Sequence, residues 1–146
     1  LLRSSIVGPE SGSGMSLLNW FLRTEEPEVN GFIDHEWNGV TTLNFAKIVL
    51  GITKNQQTGV KLQHLVPNDK VNKYELLILF QEYFSKCVKI NDVVSENKVD
   101  RTLETIDPLA NQELWKMGGY KEIPSIRENI SELAEFKGTK KILEFK

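Results

Sequence analysis

Residues 1–9 read LLRSSIVGP, a mostly apolar run that ends in Gly8-Pro9. An apolar run closed by a Gly-Pro turn predicts a buried β-strand over residues 1–7. Chain termini are usually exposed and frayed, so a sequence that starts inside an apolar strand is unusual. We therefore interpret the sequence as the back part of a longer polypeptide, in which this strand lies against neighbours.

Past this strand, apolar spacing and capping patterns predict helices that alternate with short strands. The predicted helices cover residues 15–23, 42–54 after a cap at Thr41 or Thr42, 73–86 after the capping box Asn72–Glu75, and 126–138 after the capping box Ser125–Glu128. The predicted strands cover residues 31–33, 60–66 and 88–94. We predict a surface connection over residues 25–30, irregular structure over 100–119 and a loose tail over 139–146.

This alternation of elements predicts an α/β fold with a partial, mostly parallel sheet and flanking helices. The predicted strands are short and few, so a sheet built from them alone leaves edges that need cover. Uncovered edges again indicate missing partners.

Composition limits the classes of function. The chain has 146 residues, and its 18 Lys and Arg against 20 Asp and Glu give a net charge of −2. Nucleic-acid grooves depend on clustered Lys and Arg, so this balance argues against one. No apolar run approaches the roughly 20 residues that span a bilayer. With one cysteine, Cys87, an intramolecular disulfide is excluded, and we predict a cytoplasmic protein with Cys87 as a small buried residue.

The loop over residues 8–14 follows a strand and precedes a helix, which is the position of a dinucleotide-binding turn. That turn needs three glycines, and the run from Gly12 and Gly14 to Leu17 lacks the third. A Ser/Thr-Tyr-Lys catalytic set needs Tyr and Lys one helical turn apart, and no tyrosine here is followed by Lys at the fourth position. We therefore predict a plain loop, no cofactor site and no catalytic residue in this chain.

A metal site is not predicted either. His35 and His64 lie 29 residues apart, and a zinc site built on His35 would need further ligands at fixed geometry. His64 is interpreted as a packed or hydrogen-bonded strand residue.

Two short segments carry candidate binding residues. Trp37-Asn38-Gly39 stands at a turn before a helix, where an aromatic face and an amide can bind a planar or sugar ligand. The alternative is that Trp37 packs the helix onto the sheet. Arg101 follows a strand-like segment and can hold a phosphate bidentately, whereas the alternative is a surface pair with Asp100 or Glu104.

Four segments resemble, in order, parts of the extended short-chain dehydrogenases/reductases, in particular the dTDP-4-dehydrorhamnose reductases. The segments are residues 2–10 (LRSSIVGPE), 37–47 (WNGVTTLNFAK), 62–76 (LQHLVP followed by KYEL) and 99–103 (VDRTL). They resemble the strand and loop after the Tyr-Lys helix, the Gly-x-Pro-Thr segment, a late strand with a Ser-Lys-Tyr-Glu-like helix start, and the Arg-Pro element. Val40, Asn72 and Thr102 depart from the usual Pro, Ser and Pro, and the resemblance covers about residues 1–135.

The resemblance implies that residues 1–137 are the C-terminal, substrate-binding portion of an NAD(P)-dependent sugar-nucleotide reductase, followed by a tail over 138–146. An N-terminal Rossmann portion would bind NAD(P) and carry the catalytic residues, so this chain alone would bind no cofactor. The residues expected to face a nucleotide-linked 4-keto sugar are Glu10, Trp37, Asn38, Gly39, Thr41 and Arg101.

Three alternatives stay open. The departures from the family pattern leave undecided whether the parent enzyme reduces, epimerises or dehydrates its sugar. A non-catalytic binding module without any partner domain is the alternative from another class. A homodimer is also compatible with the resemblance.

Overall fold

The computed structural model describes residues 1–11, 15–55 and 62–144. The strands are β1 (Leu2–Arg3), β2 (Ile6–Val7), β3 (Glu28–Phe32), β4 (His35–Trp37), β5 (Val40–Thr41), β6 (Gln63–His64), β7 (Val71–Asn72), β8 (Lys89–Val93) and β9 (Val99–Arg101). The helices are α1 (Leu17–Arg23), α2 (Thr42–Lys54), α3 (Lys73–Phe84), α4 (Pro108–Met117), α5 (Ile126–Glu135) and α6 (Lys137–Glu144).

Parallel pairing dominates the short strands. Strand β1 pairs with β6, β2 with β5, β3 with β8 and β4 with β9, all parallel, whereas β4 pairs with β7 antiparallel. Helices connect the parallel partners, as βαβ geometry requires. The predicted α/β class with a mostly parallel arrangement is therefore confirmed.

The opening strand is not continuous, so the prediction of one strand over residues 1–7 is wrong. The chain pairs first with β6 through β1 and then with β5 through β2. Two serines lie between these strands and bond to different neighbours. The Ser4 hydroxyl donates to the carbonyl of Leu65 at 2.9 Å, and the Ser5 carbonyl accepts from the Val40 amide at 2.8 Å. The chain therefore passes from one partner strand to the next.

The three capping predictions are confirmed. Thr41 caps α2, Asn72 caps α3 and Ser125 caps α5, and each side chain accepts from the backbone amide three residues later. Each arrangement is a reciprocal capping box, which satisfies two amides that the helix leaves without partners. These local bonds fix where the three longest predicted helices begin.

Two segments with weak sequence patterns are regular, so both predictions were wrong. Strand β3 contains residues 28–30 of the predicted surface connection, because Val29 is buried and the whole strand pairs with β8. Residues 108–117 of the predicted irregular region form α4, which Asp107 caps. Trp115 anchors α4, since its ring is fully buried and its indole N–H donates to the Val66 carbonyl at 2.9 Å.

The end of the chain also differs from the prediction. Residues 137–144 form α6 instead of a loose tail, and Thr139 is buried there. Cys87 is exposed, which corrects its predicted burial. Of the strand predicted over 60–66, Gln63 and His64 form β6, while residues 60 and 61 lie outside the described residues.

The core consists of two clusters that flank the strands. The larger one joins α1, α3 and α5 through Phe21, Phe80 and Ile130. The smaller one joins β5, α2 and α4 through Val40, Ile48 and Trp115. Within the described ranges, no helix combines the length and apolar character needed to cross a bilayer.

Candidate functional site

Two adjoining clefts lie beside β2 and the end of β9: the first extends to β4 and the first turn of α3, and the second extends to β1 and α2. The first cleft, of about 370 Å³, is lined by Trp37, Lys73 and Arg101 among other residues. The second cleft, of about 420 Å³, is lined by Arg3, Phe45 and Arg101 among others. Both volumes fall within the range of small-molecule sites. The two clefts share Ser5, Ile6 and Arg101, so Arg101 stands at their junction.

Trp37 and Arg101 reach the first cleft because their strands are neighbours. They are register partners in the parallel pair β4·β9, and register partners project to the same face of a sheet. The Trp37 indole N–H donates to the Ser5 hydroxyl at 2.6 Å, which ties β4 to the segment between β1 and β2. The ring also packs against the larger core cluster. Trp37 therefore has both the packing role and the cleft position that the sequence left open.

Arg101 is exposed and forms none of the five ion pairs found among the described residues. Its neighbour Asp100 instead accepts from the amide and the hydroxyl of Thr102, at 2.9 and 2.6 Å. These bonds lower the pKa of the Asp100 carboxyl group. The predicted alternative, a surface pair of Arg101 with Asp100 or Glu104, is therefore not formed.

Lys73 contributes a second cation to the first cleft. Its ammonium lies 5.0 Å from the ring centroid of Phe32 and 5.6 Å from that of Trp20, a cation–π arrangement. Burial lowers the pKa of Lys73, and the positive charge of Arg101 lowers it further. Within the described part of the chain, Lys73 pairs with no carboxylate.

The acidic and imidazole groups of the first cleft already have partners. Glu36 pairs with Lys70 at 2.7 Å. His35 stacks on Phe32 with ring centroids 4.5 Å apart, and its Nε2 lies 3.1 Å from the Ser95 hydroxyl. The uncompensated charge of the two clefts is consequently positive, which favours an anionic ligand.

The other predicted site residues hold backbone segments in place. Asn38 donates to the Leu103 carbonyl at 2.8 Å and accepts from the Leu103 amide at 2.7 Å. Thr41 is buried and caps α2. A Cβ at Gly39 would overlap the Ser5 carbonyl and the Trp37 ring. The structure thus brings Trp37 and Arg101 to the clefts, whereas Asn38, Gly39 and Thr41 line neither of them.

The sixth predicted residue, Glu10, bonds to the start of α1, whose N-cap is Ser16. Its carboxylate accepts from the Ser16 amide at 2.9 Å, and the Ser16 hydroxyl accepts from the Asn19 amide at 3.2 Å. A dinucleotide pyrophosphate would need this helix N-terminus, which the chain's own side chains already occupy. The N-terminus of α1 is therefore not arranged to bind a dinucleotide pyrophosphate, and residues 12–14 of the glycine run lie outside the described residues.

Sequence reasoning missed Lys73 and Arg3 as cleft residues. Lys73 is the first residue of α3, directly after its cap Asn72. A cation at a helix N-terminus faces the positive end of the helix dipole, which is an unfavourable position. A lysine directly after a predicted N-cap is therefore a sequence feature that could have indicated a binding role for Lys73. No comparable local feature marks Arg3.

Comparison with known proteins gives structural matches only. No protein-family model matches the chain, and no curated protein matches it significantly. A dTDP-4-dehydrorhamnose reductase of Bacillus anthracis, solved with NADP, superposes with a TM-score of 0.65 at 14% identity over 90% of this chain. A UDP-glucose 4-epimerase of Thermotoga maritima, solved with UDP-glucose, gives 0.60 at 18% identity over 98% of this chain. A dTDP-glucose 4,6-dehydratase of Bacillus anthracis, solved with NAD, gives 0.58 at 10% identity over 92%.

The chain has the fold of part of these sugar-nucleotide enzymes. The resemblance inferred from the sequence is confirmed at the level of the fold. The chain spans just under half the length of the reductase and of the epimerase, 46% in each case. The nucleotides and the sugar nucleotide bound in those structures are properties of those proteins.

Proposed function

We propose that this chain is the substrate-binding part of an NAD(P)-dependent sugar-nucleotide reductase similar to dTDP-4-dehydrorhamnose reductase. It would orient a nucleotide-linked 4-keto sugar for hydride transfer. The observation that carries the proposal is the position of Arg101. It stands at the junction of two ligand-sized clefts and lacks an ion-pair partner among the described residues.

A nucleotide sugar suits this geometry because its charge lies in the middle of the molecule. The diphosphate links a nucleoside at one end to a sugar at the other, so a central cation between two clefts matches its shape and charge. An arginine binds phosphate oxygens through two parallel N–H donors, which fixes orientation as well as position. Arg3 in the second cleft and Lys73 in the first add positive charge on either side.

The proposed roles of the six predicted site residues follow from their positions. We assign substrate contact to Arg101 and Trp37. Asn38, Gly39 and Thr41 hold the backbone segments that present these two residues. Glu10 orders the start of α1, whose first residue Leu17 also lines the first cleft.

The reduction itself is not assigned to residues of this chain. In the proposed parent enzyme NAD(P) supplies the hydride, and a Rossmann portion outside this chain holds that cofactor. We also propose that the protein is cytoplasmic, which cell fractionation tests. A homodimer is part of the same proposal, and analytical ultracentrifugation tests it.

An epimerase or a dehydratase is the second candidate, because members of both classes share this fold with TM-scores of 0.60 and 0.58. Product analysis with the parent polypeptide separates the candidates, since only a reductase consumes NAD(P)H in stoichiometric amounts. A non-catalytic binding module is the remaining alternative. It would bind nucleotide sugars, but its gene would encode no Rossmann portion upstream of this region.

Calorimetric titration of this chain with dTDP-glucose, dTDP and free glucose tests the proposal. We expect binding of dTDP-glucose and dTDP, and none of glucose. Arg101→Gln should weaken binding about tenfold or more, because it removes a charge-assisted bidentate contact. The matched control Arg23→Gln changes an exposed arginine in the last turn of α1 and should leave affinity unchanged. Absent binding, or equal effects of the two variants, would refute the proposal.

A further inference from the structure

Lys73 occupies a position that costs the unliganded protein free energy. It is the first residue of α3, so its ammonium stands near the positive end of the helix dipole. The acidic residue of that first turn, Glu75, forms no ion pair with Lys73, and its carboxylate accepts instead from the Asn72 amide at 2.8 Å in the capping box. The fold thus places a cation at this helix end that forms no ion pair with any carboxylate of the described residues.

The surroundings of Lys73 supply no negative charge that pairs with it, although two aromatic rings attract its ammonium. Strand β9 contributes Arg101 and β4 contributes His35 and Glu36 to the same cleft, and Glu36 is held by Lys70. Trp20 and Phe32 supply only ring faces. Arg101 lines the same cleft as Lys73, and burial together with the positive charge of Arg101 lowers the pKa of Lys73. Lys73 and Arg101 therefore form a pair of like charges that share one cleft.

We propose that Lys73 and Arg101 together bind one diphosphate group, so that Lys73 is a second anchor of the ligand in the first cleft. A diphosphate offers two adjacent anionic groups and neutralises both cations at once, whereas a single carboxylate can neutralise only one. This inference rests on the proposed function for its ligand. Its probe is simpler, because inorganic pyrophosphate presents the same two phosphoryl groups without a nucleoside or a sugar.

Titration of the chain with inorganic pyrophosphate tests the pair directly. Lys73→Met keeps an unbranched side chain of similar length but removes the charge, and it should weaken binding about tenfold or more. Lys73→Arg should stay within about threefold of the native affinity, because it retains a cation. Lys54→Met, in the last turn of α2, is the matched control and should change nothing.

Two further measurements separate a binding role from a structural one. The melting temperature of Lys73→Met without ligand should stay within about 3 °C of the native value, since no ion pair is lost. Pyrophosphate affinity of the native chain should fall as the pH rises through the lowered pKa of Lys73, because the neutral amine no longer attracts phosphate. Lys73→Arg should remove that fall over the same pH range, since a guanidinium stays charged.

The outcomes distinguish this inference from the proposed function. Pyrophosphate binding that depends on Lys73 and Arg101, without any gain from the nucleoside and sugar of dTDP-glucose, supports the shared anchor and refutes the nucleotide-sugar site. Binding of dTDP-glucose that is indifferent to Lys73→Met overturns the inference and leaves the proposed function standing. No pyrophosphate binding, or equal losses in Lys73→Met and Lys54→Met, also overturns it.

Discussion

The side-chain amide of Asn38 forms two hydrogen bonds with the backbone of Leu103, donating to its carbonyl at 2.8 Å and accepting from its amide at 2.7 Å. This pairing joins the turn after β4 to the segment after β9, two residues beyond Arg101. The position of Arg101 in the clefts therefore depends on a residue that touches neither cleft.

Asn38→Asp tests this dependence. The carboxylate can still accept from the Leu103 amide, but it faces the Leu103 carbonyl without a proton to donate. We expect a loss of about 1–2 kcal/mol in the free energy of unfolding and an affinity for dTDP-glucose reduced about fivefold. Urea denaturation and calorimetry measure the two effects. Asn91→Ala, which removes an exposed contact to Glu28, is the control and should leave affinity unchanged. Native affinity in Asn38→Asp would contradict the positioning role.

The bond between Trp37 and Ser5 is testable by a double-mutant cycle. Trp37→Phe keeps an aromatic ring and removes the indole N–H, and Ser5→Ala removes the acceptor from the other side. Each single change should cost about 1 kcal/mol of stability. The double variant should cost less than the sum, because the two changes remove the same bond. Additive costs in denaturant titrations would show that the bond contributes nothing.

Gly39 leaves room for both of these residues. An added Cβ would overlap the Ser5 carbonyl and the Trp37 ring, and a backbone carbonyl cannot move aside cheaply. We expect Gly39→Ala to lower the free energy of unfolding by about 1–3 kcal/mol, as overpacking does. Thermal denaturation measures the loss, and the emission of Trp37 should shift as its ring moves. A variant with native stability and spectrum would show that this contact relaxes freely.

The capping box of α5 should produce a pH-dependent contribution to stability. Hydrogen bonds from the Ser125 amide and hydroxyl lower the pKa of Glu128 from its ordinary value of 4.5. A carboxyl group with a lowered pKa in the folded state stabilises the fold above the unfolded-state pKa, and this contribution is lost as the pH falls through the folded-state pKa. Glu128→Gln should therefore be less stable than the native chain at pH 7, with a gap that narrows below pH 4.5.

Urea titrations at several pH values measure this gap. Glu25→Gln, at an exposed position before β3, is the control and should show no comparable narrowing. A gap for Glu128→Gln that stays constant with pH would contradict the capping interpretation.

The parts of the fold that sequence could predict are those that local bonds fix. The helices that start at Thr42, Lys73 and Ile126 follow capping residues that sit three positions before their partners. Residues 31 and 32 of β3 belong to a predicted strand, but residues 28–30 were missed, because the burial of Val29 depends on pairing with β8 some 60 positions later. Helix α4 was missed because Trp115 finds its partner, Val66, 49 positions earlier.

The candidate site shows the same division. Trp37 and Arg101 were predicted because an aromatic residue before a helix and an arginine after a strand are recognisable types. Glu10 and Asn38 carry the same polar chemistry, yet their side chains bond to the backbone at Ser16 and Leu103. Only the three-dimensional arrangement shows which polar side chains already form hydrogen bonds within the protein and which are available to a ligand.

Trp37 and Trp115 have contrasting environments, so tryptophan fluorescence can serve as an intrinsic probe of ligand binding. Trp115 is fully enclosed, so its fluorescence provides a steady background, while Trp37 borders the first cleft beside Arg101. A ligand that enters there changes the emission of Trp37, and of Trp20 through Lys73, while Trp115 is spared. Occupancy can thus be followed without attaching a dye to the chain.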